Sequence, residues 1–125
     1  MAADVVVLTD LAEVVIVDAI DAVALEWKYI GWGTGTTPAA KGATACQTEG
    51  AETSTTKVTG TTSQPTADKY QVVGTVTCAG AGKAITNAGM FDHATTGALM
   101  MYATFDAINV GVGDSIQFTF LLEIT

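Results

Sequence analysis

Arginine is absent from this chain, and five lysines are set against thirteen aspartates and glutamates, for a formal charge of −8. Phosphate binding relies on clustered lysine and arginine, and arginine is the usual reader of base edges, so nucleic acid is not an expected partner. Histidine occurs once, as His93, and cysteine twice, as Cys46 and Cys78. A lone loop histidine with no second histidine and no distant cysteine pair does not make a metal site, so neither a metal nor any other cofactor is expected. Two cysteines are too few for a disulfide framework. They read as free thiols of a protein assembled in a reducing cytosol, with a single bond as the alternative. The only serines are Ser54, Ser63 and Ser115, and none sits in a Gly-x-Ser-x-Gly elbow. No catalytic residue is assigned, and the chain reads as a protein that is not an enzyme. A long apolar run is missing too: Asp10, Glu13, Asp18 and Asp21 interrupt the only candidate, so no membrane span is expected. No basic segment of the kind that opens a secretory signal stands before it.

Apolar side chains are what the chain does have. Hydrophobic residues make up 49% and charged residues 14% of 125 positions, enough for one domain with a real core and an unusually apolar balance for a solitary one. Such a chain is expected to bury surface against partners, including copies of itself.

Residues 1–26 carry six acids and no base, which marks them as a separate N-terminal element before a domain spanning 27–125. At about 100° per residue, Asp10, Glu13, Asp18 and Asp21 gather into an arc of roughly 140°, with Leu11, Ala12, Val15, Ile16, Ala19, Ile20, Ala22 and Val23 opposite. The spacing predicts an amphipathic helix over about 11–23, with Asp10 and Glu13 as a capping box. Val14 and Val17 lie among the acids. Together with Asp18 and Asp21 they form a candidate contact surface, against the plainer reading of a solvated acidic face. Asp4 to Leu8 reads as a β-prone arm able to pair with a sheet edge.

After Trp27 the period changes to two. Trp27, Tyr29 and Gly31 alternate with Lys28, Ile30 and Trp32, and Gly31-Trp-Gly-Thr-Gly35 ends the strand in a turn. Residues 34–62 hold eleven threonines, which predicts a loop over 38–44 and an edge strand through about 52–59 ending near Gly60. Strands follow over Tyr70 to Cys78 and Lys83 to about Met90. Two more are expected from Leu99 through Phe105 and from Ser115 to the end, the last with Ile116, Phe118, Phe120, Leu122 and Ile124 on one face. Short strands at regular turn spacing predict a mainly β protein, an antiparallel β-sandwich of jelly-roll or immunoglobulin-like kind with an N-terminal arm and short helix.

Asp92 beside His93 invites an acid–base or metal reading, but a loop pair of this kind more often serves a turn. Gly31 to Gly35 lacks the Lys-Ser/Thr ending of a phosphate loop, and Asp114 in Gly111-Val-Gly-Asp114 reads as a turn residue rather than a calcium ligand. Trp27, Tyr29 and Trp32 form the remaining candidate: core or subunit interface, or a sugar-stacking platform.

Three segments, Tyr29-Ile-Gly-Trp-Gly-Thr-Gly35, Ile85-Thr-Asn-Ala-Gly-Met-Phe-Asp92 and Gly113-Asp-Ser-Ile-Gln-Phe-Thr-Phe120, resemble, in that order, small virion structural proteins of tailed bacteriophages. The resemblance covers about residues 27–125. The second segment is similar to a recurrent Ile-Thr-Glu-Ala-Gly-Leu-Phe-Asp pattern, with Asn87 in place of the acid and Met90 in place of the leucine. The resemblance implies a capsid decoration (cement) protein on the outer capsid surface, assembled in the host cytoplasm. Its implied partners are the major capsid protein and other copies of itself, as a trimer where the shell has local three-fold symmetry. A tail or tail-fibre component and a carbohydrate-binding module on the virion are the alternatives.

Overall fold

A computed structural model describes residues 7–22, 26–50, 57–95 and 97–124. Its elements are α1 (Asp10–Ala22), β1 (Tyr29–Gly33), β2 (Val58–Thr59), β3 (Thr61–Ser63), β4 (Lys69–Thr77), β5 (Lys83–Phe91), β6 (Leu99–Val110) and β7 (Ser115–Glu123). They form two antiparallel sheets, ordered β2-β1-β5-β6 and β3-β4-β7, that make a β-sandwich. Most of the 52–59 edge strand foreseen from the threonines, and the arm from Asp4, lie outside the described residues. Val7 and Leu8 are exposed and outside any strand.

One folded ribbon organises the sandwich. β4 pairs with β7 along its whole length, Lys69 opposite Glu123 and Thr77 opposite Ser115, and β5 pairs with β6. Both strands of the ribbon change sheet at the same place. There the Cys78 N–H donates to the Asp114 carbonyl and the Gly113 N–H to the Cys78 carbonyl, each at 2.8 Å. Gly80 and Gly113 take φ of +73° and +88° at these corners, a region open to glycine at little cost. β2 and β3 are a single strand that crosses between the sheets at Gly60, where a Cβ would press on Val72 and the Lys28 carbonyl.

Alternation explains the core. Ile30 and Trp32 of β1 face inward and meet Tyr70, Val72 and Val76 of β4, Ile85, Ala88 and Met90 of β5, Val110 of β6 and Phe120 of β7. Each large side chain buried this way contributes about 1.5–3 kcal/mol relative to exposure. The Tyr70 hydroxyl donates to the Trp27 carbonyl at 2.6 Å and ties the start of β1 to β4. Its burial pushes the phenol above its ordinary range.

The opposite face of β1 carries Gly31 and Gly33, and residues 47–50 fold over it. A Cβ on Gly33 would collide with the Gln47 carbonyl, so glycine permits the close approach. The Thr34 N–H donates to the Thr48 carbonyl, Gly35 to Gln47 and Gly50 to Trp32, each at 3.0–3.1 Å. Thr48 adopts φ 48°, a strained conformation for a β-branched residue.

The helix spans nearly the expected residues but is capped differently. Thr9 rather than Asp10 is the N-cap: its hydroxyl accepts from the Ala12 N–H at 3.3 Å and its carbonyl from the Glu13 N–H at 3.0 Å. Its orientation also departs from expectation. Val17 is fully buried in the sandwich core, Glu13 is buried beside it, and Ile20 packs alongside. Leu11 (80% exposed) and Val15 (66%) face outward, with Ile16 partly exposed and Val7 and Leu8 also uncovered. Part of the acidic side lies inward because Val17 sits there and fits the end of the sandwich, whereas the broader apolar side is left outside.

Candidate interaction surfaces

The residues singled out in sequence separate into three places. Asp18 is exposed and Val14 and Asp21 are half-buried on α1. Val17 and Trp32 have no exposed surface, so both are core residues and neither is available as an interface. Trp27 and Tyr29 are half-buried. Tyr29 lies on the face of β1 away from Trp32, with its ring 6.3 Å from that of His93 and 5.8 Å from Lys28 Nζ. The three aromatic residues therefore do not assemble a flat stacking platform. Trp32 instead packs against Gly50, where any Cβ would collide with the indole.

The predicted turn residues act as turn residues. Asp92 Oδ1 accepts the Ala98 N–H at 2.7 Å and closes the β5–β6 loop, while the exposed His93 accepts the Thr95 N–H through Nδ1 at 3.2 Å. Asp114 Oδ2 accepts the Gly111 N–H at 2.8 Å and turns the chain into β7. Among the described residues no group of three or more His, Cys, Asp or Glu is placed to hold a metal ion, and no helix is long and apolar enough to cross a membrane. Both cysteines are buried free thiols, and burial pushes that of Cys46 up to about 12.

Two polar clusters went unrecognised in the sequence. Asn87 is fully buried, with Oδ1 accepting from the Gln47 N–H at 3.1 Å. Its Nδ2 lies 3.2 Å from the Gln47 carbonyl and 3.3 Å from both the Gly35 carbonyl and Thr86 Oγ1. Thr86 also donates to the Gly35 carbonyl. An amide suits this position because it presents an acceptor to an N–H and donors to two carbonyls, a match that an ionised acid lacks. The second cluster is an ion pair between the buried Lys57 and the half-buried Glu49, Nζ to Oε1 at 3.0 Å, with Lys57 Nζ 4.7 Å above the Phe91 ring. These groups hold the segment after β1 against the sheet.

Of the large apolar side chains left exposed, Leu11, Val15 and Ile16 share one side of α1, with Val7 and Leu8 just before it, while Ile108, Val112 and Leu121 lie apart from it in the sequence on β6, β7 and the loop between them. The neighbours of that side of α1 include the exposed Asp10 and Asp18, and no base occurs before Lys28. On the inner side, Glu13 is held above the ordinary carboxylate range by burial and by Asp10, Asp68 and Glu123. The helix thus presents an apolar stripe with acidic neighbours. No protein family, curated protein or solved structure matches the chain.

Proposed function

We propose that this is a non-enzymatic structural protein of a bacteriophage virion, and specifically a capsid decoration protein that binds the major capsid protein and stabilises the shell. The observation that carries the reading is the outer side of α1, where Leu11 and Val15 stand open to solvent on a helix anchored to the sandwich by Val17. A contiguous exposed apolar surface marks a contact with another molecule. Its acidic setting favours a partner with basic side chains around an apolar groove, and like charge disfavours a second copy of this helix. The three phage-like segments add support from sequence, and each occupies a strand or corner of the sandwich. A cement protein stabilises a shell to the extent that it binds the assembled lattice better than free subunits.

The test is immunogold labelling of phage particles from a lysate containing the protein, followed by binding of the purified protein to shells stripped of it. Regular labelling over capsids is expected. Leu11→Gln with Val15→Gln should keep the fold and weaken shell binding at least about tenfold, as loss of a central apolar anchor does. Label confined to tails would move the protein to the tail, and unlabelled particles would refute a virion role.

A further inference from the structure

A sheet edge exposes a row of unpaired N–H and C=O groups, and proteins ordinarily blunt such edges with short strands, prolines, charges or bulges. Among the described residues the two sheets have four edges, and three of them carry such a device. β2 is two residues long, and β3 is three residues long and followed by Pro65. β6 is long, but its pairing with β5 is broken by register shifts between Ile85 and Asn87 and between Met90 and Phe91, and Asp106 sits exposed on it.

Among the described residues β7 has none of these protections. It is nine residues long, keeps unbroken register with β4, contains no proline, and is uncharged from Ser115 through Leu122. Among the described residues no backbone hydrogen bond is made on its other side. Its inner-face residue Phe118 is only half-buried, its ring 6.1 Å from that of Phe105 on β6.

We propose that β7 is a strand-addition edge and that its occupant is β7 of a second copy of this chain, paired antiparallel about a two-fold axis at Thr119. This register sets Phe118 against the partner's Phe120 on the core side and Gln117 against the partner's Leu121 on the outer side. Glu123 falls opposite the partner's Ser115. The two three-stranded sheets become one continuous sheet, and the half-buried Phe118 gains cover. Electrostatics select this edge for self-pairing. Two molecules of charge −8 repel, and along β7 the only charge in the pairing segment is at its end, away from its own copy. The antiparallel pattern is self-complementary, as an isologous contact requires. This contact is independent of the α1 surface and of the virion reading.

The experiment is sedimentation velocity of the isolated full chain over a range of concentrations. Wild type should form a dimer. Thr119 is exposed, so at a concentration low enough to keep every form monomeric Thr119→Lys and Thr119→Glu should leave circular dichroism and the thermal midpoint unchanged. Each variant alone should dimerise several-fold more weakly, up to about fivefold, because like charges then face each other in a directly opposed cross-strand pair. Mixing the two variants should restore the dimer. Hydrogen exchange should show β7 amides gaining protection with concentration while β6 amides do not. A wild type that stays monomeric, a strictly trimeric species, or a dimer indifferent to both substitutions would overturn the proposal. So would failure of the mixture to recover, or loss of the dimer on deleting residues 1–8, which would assign the contact to the N-terminal arm.

Discussion

Replacing Asn87 tests whether one buried amide holds the segment after β1 in place. Its side chain reaches the Gln47 N–H, the Gln47 and Gly35 carbonyls and Thr86 Oγ1 from a site with no solvent exposure. In Asn87→Ala the Gly35 carbonyl keeps Thr86, and its N–H still donates to the Gln47 carbonyl, so the uncompensated loss falls mainly on the Gln47 N–H. A net loss of about 1 kcal/mol for each of the bonds to the Gln47 N–H and to the Gln47 and Gly35 carbonyls, plus about 1–3 kcal/mol for a buried group left unpaired, gives about 4–6 kcal/mol. Asn87→Asp separates polarity from shape. Its carboxylate can still accept from Gln47 N–H, but it faces two carbonyl oxygens, so its folded-state pKa should rise above the unfolded value. The stability of the Asp variant relative to wild type should therefore be greatest below the unfolded carboxylate range and fall as pH rises through the raised folded value. Urea unfolding followed by tryptophan fluorescence, at pH 3 and pH 7, reads both effects. A cost below about 1 kcal/mol for Asn87→Ala, or an Asp variant with no pH dependence relative to wild type, would refute the reasoning.

Glu13 has a raised pKa, so its contribution is most favourable below the unfolded carboxylate pKa and is lost as pH rises through the folded one. Glu13→Gln should accordingly melt higher than wild type at pH 7 and no higher at pH 3, by calorimetry. Lys57→Met should cost about 1–3 kcal/mol by leaving the half-buried Glu49 carboxylate unpaired, and adding Glu49→Leu should recover most of it in chemical denaturation. Phe120→Ala should cost about 3–5 kcal/mol because that ring is buried, and Phe118→Ala measurably less because its ring is half-buried. Cys46, with its thiol pushed up to about 12 by burial, should resist iodoacetamide at pH 8 until the protein is unfolded, which mass spectrometry of the alkylated peptide would show.

The strands were legible where side chains alternate strictly. β4 and β7 follow the predicted in–out pattern, because each has one face on the core and one in solvent. β3 was missed because Gly60 looks like an end in the sequence, yet it is a crossing that carries the strand into the other sheet. The helix was legible as a helix and illegible in its rotation. Its periodicity names an apolar side, but the sandwich end accepts Val17, and that fit overrides the broader stripe. The aromatic cluster was partly legible: Trp32 shares the buried face of β1 with Ile30, as the core alternative had it, whereas alternation alone could not say that Trp27 and Tyr29 would stay half-buried. Asn87 was visible only as a departure from a pattern. Its role depends on Gln47, forty residues away, and no local rule reaches that distance.

The folded ribbon also sets an order of assembly. The β5–β6 hairpin closes through the short Asp92–Ala98 loop, and once it has formed, the paired corners bring β4 and β7 together with little further loop entropy. β1 must then find β5 across more than fifty residues, and α1 docks on a surface that exists only after Tyr70 is in place. Early structure should therefore lie in the C-terminal half of the chain and late structure at its N-terminal end, so that substitutions at Val17 accelerate unfolding while those at Met90 slow folding. During synthesis α1 and β1 would emerge before the hairpin on which they dock, and the paired corners would wait for β7.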